Sequence, residues 1–492
     1  MPHLGLGRSI QDIEAARLNL EKLYHDRGYK TVLVSIPQQQ VHDGVVHLHV
    51  TEAAVGQLHI EGSRFHSLEG IRGKLTQLNE GSVPQFGEVQ KQLADVNHTA
   101  DLRVTPVLKA SQTPGKVDVD LKVADTLPLH ASLEVNNRYS ANTAHARVVG
   151  ELRYDNLFQA GQSISLQYQT APDHPQDAKV GSLSYVMPLE ANRVLALYAV
   201  HSDSQVAAVG ELDVIGKGNI FGARWIAPLP TASREFYHSF TAGADYKDLK
   251  QNVHLGGKDC ASDFNSANCN VLSPASYPEF TLLYSGTWLG PGGSGAGIPA
   301  TLGRRSSTTF DVGVNFTLRG LATERMQFAD KRAGASTEFA TLRPGLTREQ
   351  LLPGAFSLVG RLEGQIASGP LLNNEEFAGG GAESVRGYTE AERLADNGFR
   401  ASLELRTPQL LMPHWQRAER AYLLVFFDGA HLRVIDPQPQ QQVTYTLESA
   451  GFGLRFKDAG LMLNLDGARI LKSGSVTPAD RYRGLFQVAY SY

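Results

Sequence analysis

From about residue 128 to the C-terminus, apolar and polar positions alternate with a period of two. Between Thr308 and Arg319, Phe310, Val312, Val314, Phe316 and Leu318 share one face, while Asp311, Gly313, Asn315, Thr317 and Arg319 share the other. Over 356–366, Phe356, Leu358, Gly360, Leu362, Gly364 and Ile366 oppose Ser357, Val359, Arg361, Glu363 and Gln365. Over 399–406, Phe399, Ala401, Leu403 and Leu405 oppose Arg400, Ser402, Glu404 and Arg406. Successive side chains of a strand point to opposite faces, so each segment predicts a strand with one apolar and one polar side. A soluble sandwich alternates too, but its strands average about five or six residues. The segments here run to roughly the 9–11 residues that a tilted strand needs to cross a bilayer. About sixteen of them follow one another, a number that closes around an aqueous lumen. The predicted fold is a membrane all-β barrel of about 16 antiparallel strands.

Ahead of it the period changes. Ile13, Ala16, Leu20 and Leu23 fall at helical spacing within 9–27, and Gly28 stops the helix. Strand-like runs Thr31–Ile36 and Val45–Val50 flank the turn signal Asp43-Gly44. A second unit repeats the outline in full, as a strand at Val55–Ile60, helical stretches near 66–75 and 86–97, then strands Leu102–Val107 and Val117–Val123. The order β-α-α-β-β is complete there, whereas the first unit shows only a helix and two strands, as though its opening were missing. The expected organisation is an N-terminally truncated small α+β domain at 1–53, a second at 54–126, and the barrel at 127–492. The start Met1-Pro-His-Leu-Gly-Leu-Gly-Arg8 has no basic region, apolar stretch or cleavage site of a signal peptide. A truncated or mis-started precursor is therefore expected.

Composition narrows the class without deciding it. A chain of 492 residues is long for one globular core. The net charge of −4 offers no basic field to nucleic acid. Mean hydropathy is −0.23, and no run of about 18 apolar residues provides a transmembrane helix. Only a barrel, whose two faces average out, hides a membrane protein at that value. The two cysteines, Cys260 and Cys269, enclose a Ser-, Asn- and Asp-rich stretch. No further Cys or His pair stands nearby at zinc spacing, so a small disulfide loop in an oxidising compartment is expected and no metal.

The chain ends in a strand whose Phe486, Val488, Tyr490 and Tyr492 form one apolar face. Such a strand suits barrel closure, with tyrosines at the headgroup level. Enzyme signatures are missing: there is no H-E-x-x-H, G-x-x-x-x-G-K-[ST] or G-x-S-x-G. Gly292–Gly297 reads as a flexible connection, and His47 and His49 as surface residues on one strand face. Neither an enzyme, a cofactor nor a bound nucleotide is expected.

The most specific stretch is Glu376-Phe-Ala-Gly-Gly-Gly-Ala-Glu-Ser-Val-Arg-Gly-Tyr388, followed by Gly398-Phe-Arg-Ala-Ser-Leu-Glu-Leu-Arg-Thr-Pro408. It resembles the two-partner secretion transporter (TpsB) family, the haemolysin secretion/activation proteins, within the wider superfamily of outer-membrane barrel-assembly proteins. Phe377, Gly379 and Gly380 match that superfamily's F-x-G-G element. Val385, Arg386, Gly387 and Tyr388 match its VRGY loop tip, here in a lumenal loop at 369–398. The β-α-α-β-β units resemble its POTRA domains. Glycines let a long hairpin fold back, and a guanidinium offers a carboxylate a rigid fork that Lys cannot. The resemblance implies that Arg386 is held by an acid on the barrel wall. Asp428 in Phe426-Phe427-Asp428-Gly429 is the best match, with Phe426 inward beside it by parity, and Glu404 is the second candidate.

The resemblance further implies a Gram-negative outer-membrane pore, in contact with outer-membrane lipid, with its POTRA domains in the periplasm. It would secrete, and in some relatives activate, a large exoprotein such as a haemolysin or adhesin. That partner would be caught unfolded by the POTRA units, whose strand edges can pair with it. The alternatives are a barrel-assembly insertase, which would usually carry more POTRA units, and a porin or an outer-membrane hydrolase.

Overall fold

The computed structural model describes residues 8–492 apart from 42–43, 205, 210–211, 216, 234, 251–253, 256–257, 260–274, 293–304, 322–327, 329–330, 411–419 and 439–440. The expected Cys260–Cys269 disulfide and most of the Gly292–Gly297 connection lie outside the described residues. The chain divides into two compact units, residues 1–129 with 155–161, and 130–154 with 162–492.

The first unit opens on helix α1 (Ile10–Asp26), started by Ser9, which forms a reciprocal capping box with Asp12. Strands β1 (Val32–Ser35) and β2 (His49–Glu52) pair antiparallel beside it. The second strand begins later than the sequence run Val45–Val50 predicts. The Gln39 side chain explains the delay: it accepts from the His47 N–H at 2.7 Å and donates to the His47 carbonyl at 2.8 Å. A side-chain amide thus takes the bonds that a strand partner would have made.

Next come β3 (Ala54–Glu61), α2 (Leu68–Lys74), α3 (Phe86–Val96), β4 (Leu102–Ala110) and β5 (Lys116–Asp125), in sheet order β3-β5-β4. β3 runs parallel to β5, and β4 antiparallel to it. Val55, Leu58, Ile71, Val89, Val119 and Leu121 form the core between helices and sheet. At the end of β5, the Asp125 carboxylate accepts the N–H groups of Arg64, Phe65 and His66 at 3.0, 2.7 and 3.1 Å. Burial by itself would raise this carboxyl, but those backbone donors and the His66 ring outweigh it and hold it below the ordinary range. The stabilisation of the turn is therefore present above the ordinary Asp pKa and is lost as pH falls through the depressed folded value. Asp125→Ala is expected to speed amide hydrogen exchange at 64–66 at neutral pH, with little change in the core of β5. Unaltered exchange at 64–66 would contradict this account of the turn.

Sixteen strands form the closed antiparallel barrel. They are β6 (Leu129–Asn136), β7 (Arg147–Leu157), β8 (Gln162–Thr170), β9 (Ala178–Pro188), β10 (Val194–Ser204), β11 (Lys217–Pro228), β12 (Phe236–Lys250) and β13 (Ala275–Gly292). They continue as β14 (Arg305–Phe316), β15 (Ala340–Leu351), β16 (Ser357–Ala367), β17 (Asn397–Arg406), β18 (Arg420–Arg433), β19 (Thr444–Asp458), β20 (Leu461–Ile470) and β21 (Tyr482–Ser491). The last strand closes on the first, from Gln487 opposite Asn136 to Ser491 opposite Ser132. Phe486, Val488 and Tyr490 lie on its exposed face, and Tyr492 continues the pairing by donating its N–H to the Ala131 carbonyl at 2.9 Å.

The two faces are inverted relative to a protein in water. Along β17 and β18, Leu403, Val425 and Phe427 are 51, 54 and 50% exposed, whereas Glu404, Phe426 and Asp428 are 3, 5 and 0% exposed. Leaving such side chains in water forgoes about 1.5–3 kcal/mol each. Repeated around the outside of the barrel, that arrangement fits a hydrocarbon surround.

Candidate functional site

The connection between β16 and β17 does not leave the barrel. It descends from buried Leu371 and Leu372 through a short helical turn at Asn373–Glu375, then forms a small hairpin of Phe377–Gly379 with Arg393–Ala395. Its tip places Arg386 against the inner wall. Gly380 (φ +102°) and Gly387 (φ +97°) hold backbone conformations that favour glycine. At Gly387 an added Cβ would also meet Ala468 at 3.0 Å and Ile470 at 3.2 Å. The tip therefore rests on β20 with no room for a side chain.

Arg386 is 4% exposed. Its Nε donates to Asp428 Oδ2 at 2.7 Å and its Nη2 to Asp428 Oδ1 at 2.8 Å, which is the bidentate fork. The Arg386 backbone N–H reaches the same carboxylate at 3.2 Å. Nη1 donates to Glu404 Oε1 at 2.9 Å. Ser402 accepts from Nη2 at 3.2 Å and donates to Asp428 at 2.7 Å. The guanidinium lies over the Phe426 ring, 3.6 Å from its centroid. Arg406 grips Glu404 at 2.6 Å, and Arg455 grips Asp466 at 2.9 Å, itself 3.8 Å from Arg386. The Arg386 guanidinium from the loop thus interleaves with those of Arg406 and Arg455 and with three carboxylates on neighbouring strands, and every member has a partner.

The rest of the motif anchors this contact. Val385 and Tyr388 are buried with Ala430, Leu447 and Ile470. The Tyr388 hydroxyl lies within donating reach of the carbonyls of Glu448 (3.0 Å) and Lys472 (2.5 Å). Phe377 packs on Ala395, Leu432 and Val434, with the Arg400 guanidinium 5.3 Å from its ring. Gly379 lets Leu432 approach to 2.9 Å of where a Cβ would stand. Arg138 ties the loop from the far side, 3.3 Å from both Glu390 and Glu383.

The structure therefore brings together Phe377, Gly379, Gly380, Val385, Arg386, Gly387 and Tyr388 with both acids singled out in the sequence, Asp428 and Glu404. Phe486, Val488, Tyr490 and Tyr492 lie on the closing strand and take no part in this cluster. Sequence reasoning did not single out Asp466 or Ser402. Their signal was the strand period itself, which puts Asn464 and Asp466 opposite Leu463 and Leu465, and Ser402 beside Glu404, on the inward side. The arrangement is built of ion pairs, hydrogen bonds and one cation–ring contact. What it can do is hold a long loop inside the lumen.

Two family models match the sequence. One, described as POTRA domain, ShlB-type, matches residues 2–53. The other, described as haemolysin secretion/activation protein ShlB/FhaC/HecB, matches 115–225 and 301–456, more than half of the chain. The heme/hemopexin transporter protein HuxB of Haemophilus influenzae is 20% identical over 490 residues, covering 98% of this chain and 81% of that protein. Among solved structures, CdiB from Escherichia coli superposes with a TM-score of 0.63 at 15% identity, over 99% of this chain and 85% of that one. BamA from Haemophilus ducreyi lacking POTRA domains 1–3 superposes with a TM-score of 0.60 at 14% identity, over 99% and 95%. At such identities the two structures speak for the fold alone.

Proposed function

The chain belongs to the haemolysin secretion/activation protein family ShlB/FhaC/HecB, and from that membership we propose how its residues divide the work of secretion. It is a two-partner secretion transporter of the outer membrane, with a POTRA-like periplasmic region ahead of a sixteen-strand barrel and a secreted protein as its partner. In our reading residues 54–126 are one complete POTRA domain, and the segment before them belongs to another. The cargo, a large exoprotein of the haemolysin or adhesin kind, adds as a strand to the open edges of these sheets while still unfolded. It then threads the lumen, while the outward band of Leu403, Val425 and Phe427 contacts lipid.

In the resting state the loop at 369–398 blocks the path, and Arg386 on Asp428 and Glu404 keeps it there. The observation that carries this reading is the buried fork between Arg386 and Asp428 inside a closed barrel. The loop arginine is a conformational element, and the drive for export comes from folding of the cargo outside.

The test is secretion of the cognate exoprotein by cells carrying Arg386→Ala. The variant barrel should still migrate as a heat-modifiable folded species, while exoprotein in the medium falls by roughly tenfold or more. That loss corresponds to about 1.4 kcal/mol or more of coupling between loop position and export. Undiminished export through an intact variant barrel would remove the role given to this loop.

A further inference from the structure

The lumenal loop is gripped at its ends as well as at its tip. At the N-terminal end, Glu375 is 1% exposed, and its Oε1 accepts from Lys247 at 2.7 Å and from the Tyr277 hydroxyl at 2.5 Å. Lys247 on β12 also lies 2.6 Å from Glu279 on β13, so one cation serves two buried carboxylates. At the C-terminal end, Asp396 is fully buried and takes both arms of the Arg332 guanidinium at 2.7 and 2.6 Å. The same Arg332 reaches Glu376 at 2.5 Å.

Gln365 on β16 joins the two ends. Its side-chain amide donates to the carbonyls of Glu375 and Asp396, each at 3.0 Å, and its oxygen accepts from Arg343 at 2.7 Å. One buried side chain on the wall thus ties the beginning of the loop to its end.

This clasp is separate from the Arg386 pocket. Along the β16–β17 pair, Gln365 stands opposite Gly398 and Val359 opposite Glu404. Six residues of strand span about 20 Å, and the two sets of described partners share no residue. Interactions that far apart, with no common partner, usually add in free energy.

We propose that this clasp is a second, independent lock on the loop, so that opening the lumen needs release at the loop's ends as well as at its tip, with Lys247 and Gln365 as positioning residues for export. The clasp rests on the reading of Arg386 as the tip lock, but it is held by different residues and is read out separately. Lys247 is a compact charge placed between two buried acids, and its removal takes the cation from both, leaving Glu375 only the Tyr277 hydroxyl of the pair that it accepts from. Gln365 carries no charge itself; its removal takes one acceptor from Arg343, which keeps the Glu375 carbonyl at 3.3 Å, and leaves every carboxylate of the clasp with its cation.

The experiment is single-channel recording of the full chain in planar lipid bilayers. Lys247→Met, Lys247→Arg and Gln365→Leu are each made in the wild-type and in the Arg386→Ala background, with heat-modifiable migration as the check of folding. Lys247→Met and Gln365→Leu are expected to raise the fraction of time open about tenfold in both backgrounds, as separate locks should. Lys247→Arg, which keeps a cation at the two carboxylates, should leave the channel near its background level. A role in barrel folding alone would lower the folded yield and leave open time unchanged. If Lys247→Met does not fold, Gln365→Leu decides. Open time unchanged by the folded clasp variants in both backgrounds overturns the inference. An effect of the clasp variants with none from Arg386→Ala overturns the tip reading and leaves the clasp standing.

Discussion

Asp428→Ala is expected to release the tip of the lumenal loop while the barrel stays closed. The substitution leaves the Arg386 guanidinium, 4% exposed, without the fork that takes its Nε and Nη2. Breaking a buried pair by removing one partner costs about 3–5 kcal/mol. Glu404 and Ser402 remain as acceptors for Nη1 and Nη2, but Glu404 is already held by Arg406. Amides of residues 381–388 should then exchange with solvent roughly a hundredfold faster or more, since each 1.4 kcal/mol is tenfold. Strand amides of β17 and β18 should hardly change. Asp428→Asn keeps an acceptor oxygen and the shape of the side chain, so its effect should be smaller. Equal protection of 381–388 in wild type and Asp428→Ala would show that the loop is held by something other than this pair.

Gly387→Val tests the same tip without touching a charge. A β-branched residue at φ +97° carries about 1–3 kcal/mol of backbone strain. Overpacking against Ala468 and Ile470 adds about 1–3 kcal/mol. Arg386 and Tyr388 flank the position, so the strained tip cannot satisfy the carboxylate fork and the Tyr388 hydroxyl together. Faster exchange at 381–388, with all three carboxylates of the pocket intact, is the expected result. If the valine variant keeps wild-type protection there, the close fit of the tip on β20 is not what positions Arg386.

The barrel was legible in the sequence because its signal is local. Phe310, Val312 and Val314 alternate with Asp311, Gly313 and Asn315 whatever pairs with them, and the count of about sixteen strands matches the closed sheet. The same period set Phe426 and Asp428 on one inward face, and in the structure both touch Arg386. Partnerships between distant strands left no such trace. Lys247 meets Glu375 across 128 residues of sequence, and Gln365 reads as an ordinary polar position of an alternating strand. The sequence marks each as inward and says nothing of what it touches. At Val45–Val50 local propensity pointed to a strand, and a single glutamine side chain, Gln39, took the backbone bonds instead. That competition depends on where a side chain eight residues away happens to reach.

The burial of the Arg386–Asp428 fork limits what can serve as a key. Dissolved ions weaken attractions between exposed charges over about 10 Å at ordinary salt, but they act far less on buried partners. Changes in the ionic composition of the periplasm or the medium therefore leave this contact nearly as strong as before. A competitor has to arrive inside the lumen with its own groups to offer, and under the proposed function the exported polypeptide is the molecule that does so.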